Sequence, residues 1–137
     1  MLSENGGSWI RAALLAGAAY FVVGKVFAFP VTHVHFWRWS AWVVSAVVFG
    51  THIGYELFRL RHTTRVVATH TALAVGIGAL LLAVAGAVHH VMTTPAFDAK
   101  WLLAFIVWPL ATAVPAFLVS LVAAAVLARF ARTAPGS

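Results

Sequence analysis

The sequence predicts an all-α, polytopic membrane protein: four antiparallel transmembrane helices in an up-down-up-down bundle. Three observations predict it. Of 137 residues, 63% are hydrophobic and 9% charged, against about 25% charged in a soluble domain. Four apolar stretches each reach the roughly 20 helical residues that cross a hydrocarbon core about 30 Å thick. Only short connections separate them, at residues 30–37, 59–65 and 89–100, so neighbouring spans must run in opposite directions. The composition excludes disorder, which needs low hydrophobicity and high charge. The absence of Cys excludes disulfides, thiolate metal sites and a cysteine nucleophile.

The apolar runs cover residues 12–29, 39–58, 66–88 and 101–128, and interfacial residues extend them to spans at about 9–29, 37–59, 66–90 and 101–129 within one domain, 1–137. Helices are required because backbone N–H and C=O groups find no water partner in lipid. Barrel strands would show about ten residues of alternating polarity, whereas these runs are continuous. The first span carries Lys25 near its end and resembles a signal peptide around Arg11 and Gly17–Ala19, but is read as retained. Gly17 and Gly24 lie one heptad apart on it. The third span has Ala74 and Gly78 at small-xxx-small spacing, with Gly76 and Gly86 nearby, a pattern that lets helix backbones approach closely. The fourth is longer than the membrane requires and contains Pro109 and Pro115, which predict bending. The tails, 1–8 and 131–137, are expected to be mobile.

Charge sets the orientation. Arg11, Arg59, Arg61, Arg65, Arg129 and Arg132 fall on one side, and Lys25, Arg38 and Lys100 on the other. The positive-inside rule then puts both termini in the cytoplasm. Phe36, Trp37, Trp39, Trp42 and Trp101 gather at the outer boundary, and Trp9, Phe58 and Phe130 at the inner one. The net charge of +6 is explained by orientation and anionic headgroups rather than by nucleic acid. Arg outnumbers Lys, and Ala and Val are abundant, which points to a GC-rich bacterial gene and so to an inner membrane.

The second span carries the chemistry. Arg38, Trp42, Ser45, Phe49, His52, Glu56 and Arg59 follow alternating steps of four and three, which hold them on one helix face with about 20° of drift per heptad. Ionisable groups are costly in lipid, roughly 2.5–3.5 kcal/mol each, so this line is expected to face inward. Glu56 and Arg59 are spaced to neutralise each other. His70 enters from the next span at a depth similar to His52. His52, Tyr55, Glu56, Arg59, Thr69 and His70, with His62 from the connection, are expected to gather in one inner-leaflet polar cluster. The plainer alternatives are polar glue between helices and snorkelling of Arg38 and Arg59.

On the opposite side, His33, His35, His89, His90 and Asp98 form a second candidate, for zinc or copper. The simpler reading makes them polar caps at helix ends, since the adjacent His89 and His90 project about 100° apart on a continuous helix.

No phosphate loop, zincin helix or nucleophile elbow is present, and Glu56 is the sole acid within the spans. The chain is therefore read as a non-enzyme. The leading expectation is a membrane subunit or ion- and proton-handling bundle. The alternatives are a redox subunit holding haem between His52 and His70 or quinone beside Tyr55, and a structural subunit of a larger membrane complex. A divalent metal is the other cofactor that these residues could hold. The expected partners are the lipid bilayer and either a homo-oligomer or a larger membrane complex.

Overall fold

The structure is a computed structural model of all 137 residues, and residues 4–27, 33–94 and 99–133 are described. Four helices follow one another: α1 Glu4–Val26, α2 Val34–Gly54, α3 Thr64–Thr93 and α4 Lys100–Thr133. A π-helical turn, Tyr55–Arg59, continues α2. All four helices are long and apolar enough to cross a membrane. They overrun the expected spans at most ends, because a helix keeps its backbone hydrogen bonds beyond the apolar core. Of the two tails, Glu4–Ser8 belong to α1, and α4 runs to Thr133.

Helix α3 is central, and its small residues explain why. Ala68, Ala74, Gly78, Ala79, Ala83 and Ala87 are all buried. Small side chains let two neighbours approach α3 closely. Gly17 of α1 lies against Ala74 and Ile77, and Gly78 against Tyr20 and the Gly17 carbonyl. Further along, Gly24 meets Leu82. Toward α4, Gly76 faces Ala113 and Pro109, and Gly86 faces the Trp101 ring. The glycines marked by spacing therefore sit at helix–helix contacts. Without a hydrophobic drive between helices in lipid, close van der Waals packing of this kind is what holds spans together.

Two clusters anchor the interior. Ala13, Ala16 and Ala74 pack with Trp9, Tyr20 and Val48. Ile53, Val67 and Ala124 pack with Phe49, Leu57, Ala123 and Leu127. The second cluster joins α2, α3 and α4 immediately beneath the π turn. Two buried hydroxyls are satisfied within their own helices, Thr71 donating to the Val67 carbonyl at 2.8 Å and Ser120 to that of Ala116 at 2.6 Å, whereas the enclosed Tyr20 hydroxyl has no hydrogen-bond partner among the described residues. Helix α4 runs unbroken through both prolines, and Thr112 donates to the carbonyls of Trp108 and Pro109, each at 3.0 Å.

The inward line on α2 is corrected to half its length. Arg38 and Trp42 are exposed, Ser45 and Phe49 are half-buried, and only His52 and Glu56 are buried. The reason is packing: the α2 residues of both core clusters, Val48, Phe49 and Ile53, lie in its second half. Among the described residues, no core cluster covers the first half.

The glycine contacts differ in how readily they yield. An added Cβ on Gly78 would lie 2.8 Å from the Tyr20 Cβ and 3.0 Å from the Gly17 carbonyl oxygen, neither of which can swing aside. On Gly24 it would meet only the flexible tip of Leu82, at 2.7 Å. Gly78→Ala is expected to destabilise the fold by about 1–3 kcal/mol through overpacking. Gly24→Ala is expected to be near neutral, since up to about 1 kcal/mol of helix propensity offsets the adjustment. Unfolding of both variants in detergent micelles checks the contrast.

Candidate functional site

The site begins with a local irregularity in the backbone. At Tyr55 the α-helical ladder of α2 widens, and the Leu60 amide donates to the Tyr55 carbonyl at 3.2 Å, five residues back. The His62 amide then donates to the Glu56 carbonyl at 3.1 Å. Arg61 adopts a left-handed conformation with φ 54°. The chain thus turns back over the end of its own helix, and His62 comes to rest above Glu56. Single π turns of this kind are frequent at functional sites.

Glu56 is fully buried. His62 Nδ1 lies 2.6 Å from its Oε2. His70 Nδ1, from the second turn of α3, lies 2.8 Å from Oε2 and 3.0 Å from Oε1. A carboxylate oxygen accepts from an imidazole N–H, and both contacts are of hydrogen-bond length through Nδ1. The imidazoles supply the partners without which a buried carboxylate is costly. The His62 and His70 rings meet edge to face with centroids 5.3 Å apart. Trp9 of α1 stacks on the other side of His70, centroids 4.1 Å apart and planes within 7°. Three helices and one connection therefore fix a single carboxylate.

His52 lies one turn deeper. Its Nε2 is 3.9 Å from Glu56 Oε1, beyond hydrogen-bonding reach. That atom is enclosed and has no hydrogen-bond partner. The expected gathering of His52, Glu56, His62 and His70 is thus present.

Three expected members are placed elsewhere. Arg59 is exposed and makes no ion pair with Glu56; the imidazoles take that role, because the π turn rotates Arg59 outward. Thr69 is exposed and donates to the Arg65 carbonyl at 3.0 Å. Tyr55 is 43% exposed and lines, with His52, a groove of about 590 Å³ between α1 and α2. Trp9 was legible only as a boundary aromatic, and no pattern in the sequence linked it to His70.

Among the described residues, the one grouping of three or more His, Asp or Glu ligand atoms is Glu56, His62 and His70, all within 4.8 Å of one another. His33, His35 and His89 are exposed, and the His90 ring lies 5.8 Å from that of Trp101. The outer histidines form no such grouping among the described residues, and Asp98 lies outside them. No protein family, curated protein or solved structure matches this chain.

Two stability effects follow from this geometry. His70→Ala removes one donor from a buried carboxylate and is expected to cost roughly 1–3 kcal/mol. Thr69→Ala, one residue away but exposed, should change little. Arg61→Gly relieves the left-handed backbone and should stabilise by about 0.5–1 kcal/mol. Arg61→Val, β-branched at positive φ, should destabilise by roughly 1–3 kcal/mol. Thermal or denaturant unfolding of the four variants in detergent reads all of these.

Proposed function

We propose that the protein is a small, non-enzymatic, ion-handling membrane protein whose Glu56–His62–His70 cluster binds a divalent transition-metal ion at the cytoplasmic end of the bundle. The four spans run in up-down-up-down order with both termini cytoplasmic, in a bacterial inner membrane. The order of contacts supports that path. Gly17 and Gly24 meet α3 at successively later positions, 74–77 and then 82, as parallel neighbours do. Along α4 the order reverses, with Gly86 near Trp101 and Gly76 near Ala113. Charge supports the orientation, because Arg59, Arg61 and Arg65 surround the connection that carries His62.

The observation that carries the reading is a fully buried carboxylate held between two imidazole Nδ1 atoms, with a third imidazole nitrogen enclosed nearby and lacking a partner. Two imidazoles and one carboxylate are a familiar ligand set for zinc-like ions. The hydrogen bonds draw the ligand atoms closer than an ion would. Bonds of about 2.0–2.1 Å in a tetrahedron place neighbouring ligands roughly 3.3 Å apart. Small rotations of the two rings, with loss of their Nδ1 protons, open that space. His52 is the candidate fourth ligand. His62, 23% exposed at its side chain, forms the most open side of the cluster and is the natural point of access. The Glu56 carboxylate occupies the space among His52, His62 and His70, which favours a bare ion over a haem.

Cobalt(II) titration of the purified protein tests the proposal, because tetrahedral cobalt absorbs in the visible. One ion per chain is expected. His62→Ala and His70→Ala should each weaken binding by more than the roughly 10–100-fold that loss of an outer-shell partner costs. His35→Ala and His89→Ala should leave it unchanged. Absence of stoichiometric binding, or binding that depends on His35 and His89, refutes it.

A further inference from the structure

The groove between α1 and α2 is graded along its length. Its floor is apolar, made by Leu15, Ala16, Val47 and Val48. Its other end is polar, with Ser8 and Arg11 from α1 and Thr51, His52 and Tyr55 from α2. Ser8 and Ala16 are eight residues apart on one helix, so the gradient extends about 12 Å. The groove volume, about 590 Å³, falls within the range typical of small-ligand sites.

The polar end has one electrostatic sense. Arg11, Thr51 and Tyr55 are exposed side chains with N–H or O–H donors, and among the described residues no acid lines the groove. Among the described residues, Arg11 has no ion-pair partner. A guanidinium beside hydroxyl donors suits an oxyanion, which accepts from all of them and binds Arg in a fork. Arg11 and Tyr55 both lie near the same end of their spans, Gly7–Val26 and His35–Arg59. Arg11 and Tyr55 are therefore level with the headgroups, Thr51 lies one turn below Tyr55, and the apolar floor begins about one turn below Arg11 and Thr51, level with lipid chains.

We propose that this groove is a binding site for an amphiphile with an oxyanion head and an acyl tail, with Arg11 as its charge partner. The head takes hydrogen bonds from Arg11, Thr51 and Tyr55, and the first methylenes of the tail lie on Leu15, Ala16, Val47 and Val48. His52 forms a wall shared with the Glu56 cluster, so an occupied groove covers the flank of that cluster. The site rests on the membrane-spanning reading and is independent of metal binding. The head is the phosphate of an anionic phospholipid, the oxyanion that a bilayer presents at the level of Arg11.

Electron paramagnetic resonance of the full chain in phosphatidylcholine vesicles tests the site. The probes are spin-labelled phosphatidylglycerol, stearate at alkaline pH, and phosphatidylcholine as reference. The expected result is a motionally restricted population that favours an anionic probe about fivefold, as one basic residue at an anionic headgroup provides. Preference for phosphatidylglycerol over phosphatidylcholine is the expected result, and preference for stearate alone overturns the phospholipid assignment. Arg11→Gln should remove the preference. Val47→Trp, which fills the floor from an exposed position, should remove it with every charge intact. Arg65→Gln, outside the groove, should retain it. Equal association of all probes overturns the proposal, as does survival of the preference in Val47→Trp. Equal loss in Arg65→Gln and Arg11→Gln also overturns it, because it shows diffuse surface attraction. Absence of any restricted lipid overturns the membrane-spanning reading as well, which separates the two failures.

Discussion

A carboxylate enclosed by protein governs the arrangement at one end of this molecule. Glu56 has no exposed surface, and stripping water from an ionised carboxylate costs several kcal/mol unless donors replace it. The donors come from different places in the chain: His62 from the connection after α2, and His70 from α3. Satisfying one acid therefore ties α2 to α3 and folds the connection over both. The π turn and the left-handed Arg61 are consequences of that demand. Without them, the connection would leave the end of α2 along the helix direction and His62 would not reach back to Glu56.

Elsewhere the fold is held by a different principle. Many of the other contacts on α3 are close approaches at glycine and alanine, such as Gly17 against Ala74 and Gly78 against Tyr20, where small side chains let helices pack by van der Waals contact. The two principles meet at the base of the cluster. Trp9, packed against the Ala13–Ala16–Ala74 cluster, also stacks on His70. The helix-packing seam between α1 and α3 thereby orients an imidazole of the polar site. Local precision at Glu56 depends on small residues several turns away, because they set how closely α1 lies against α3.

His52 stands between two environments. On one side it approaches Glu56 without hydrogen bonding to it. On the other it lines the α1–α2 groove. The enclosure of its Nε2 without a partner is the kind of unsatisfied polar group that native interiors rarely keep without a use.

The sequence by itself determined the class of the molecule. Hydropathy over 20-residue windows is a sum of independent residue contributions, so four apolar helices were legible without any contact being known. The alternating steps through His52 and Glu56, and the short connection to His70, also sufficed to predict their gathering, because helical geometry and chain length are local properties. The glycine contacts at Gly17, Gly24 and Gly78 were legible for the same reason. Only the tertiary structure decided the rest: that the α2 line is buried over half its length, that Arg59 turns outward while imidazoles take its place, and that Trp9 supports His70. These depend on where one helix leans against another and on a single π turn. Neither leaves a periodic signature in the chain, because each is set by the sum of packing contacts between residues distant in sequence.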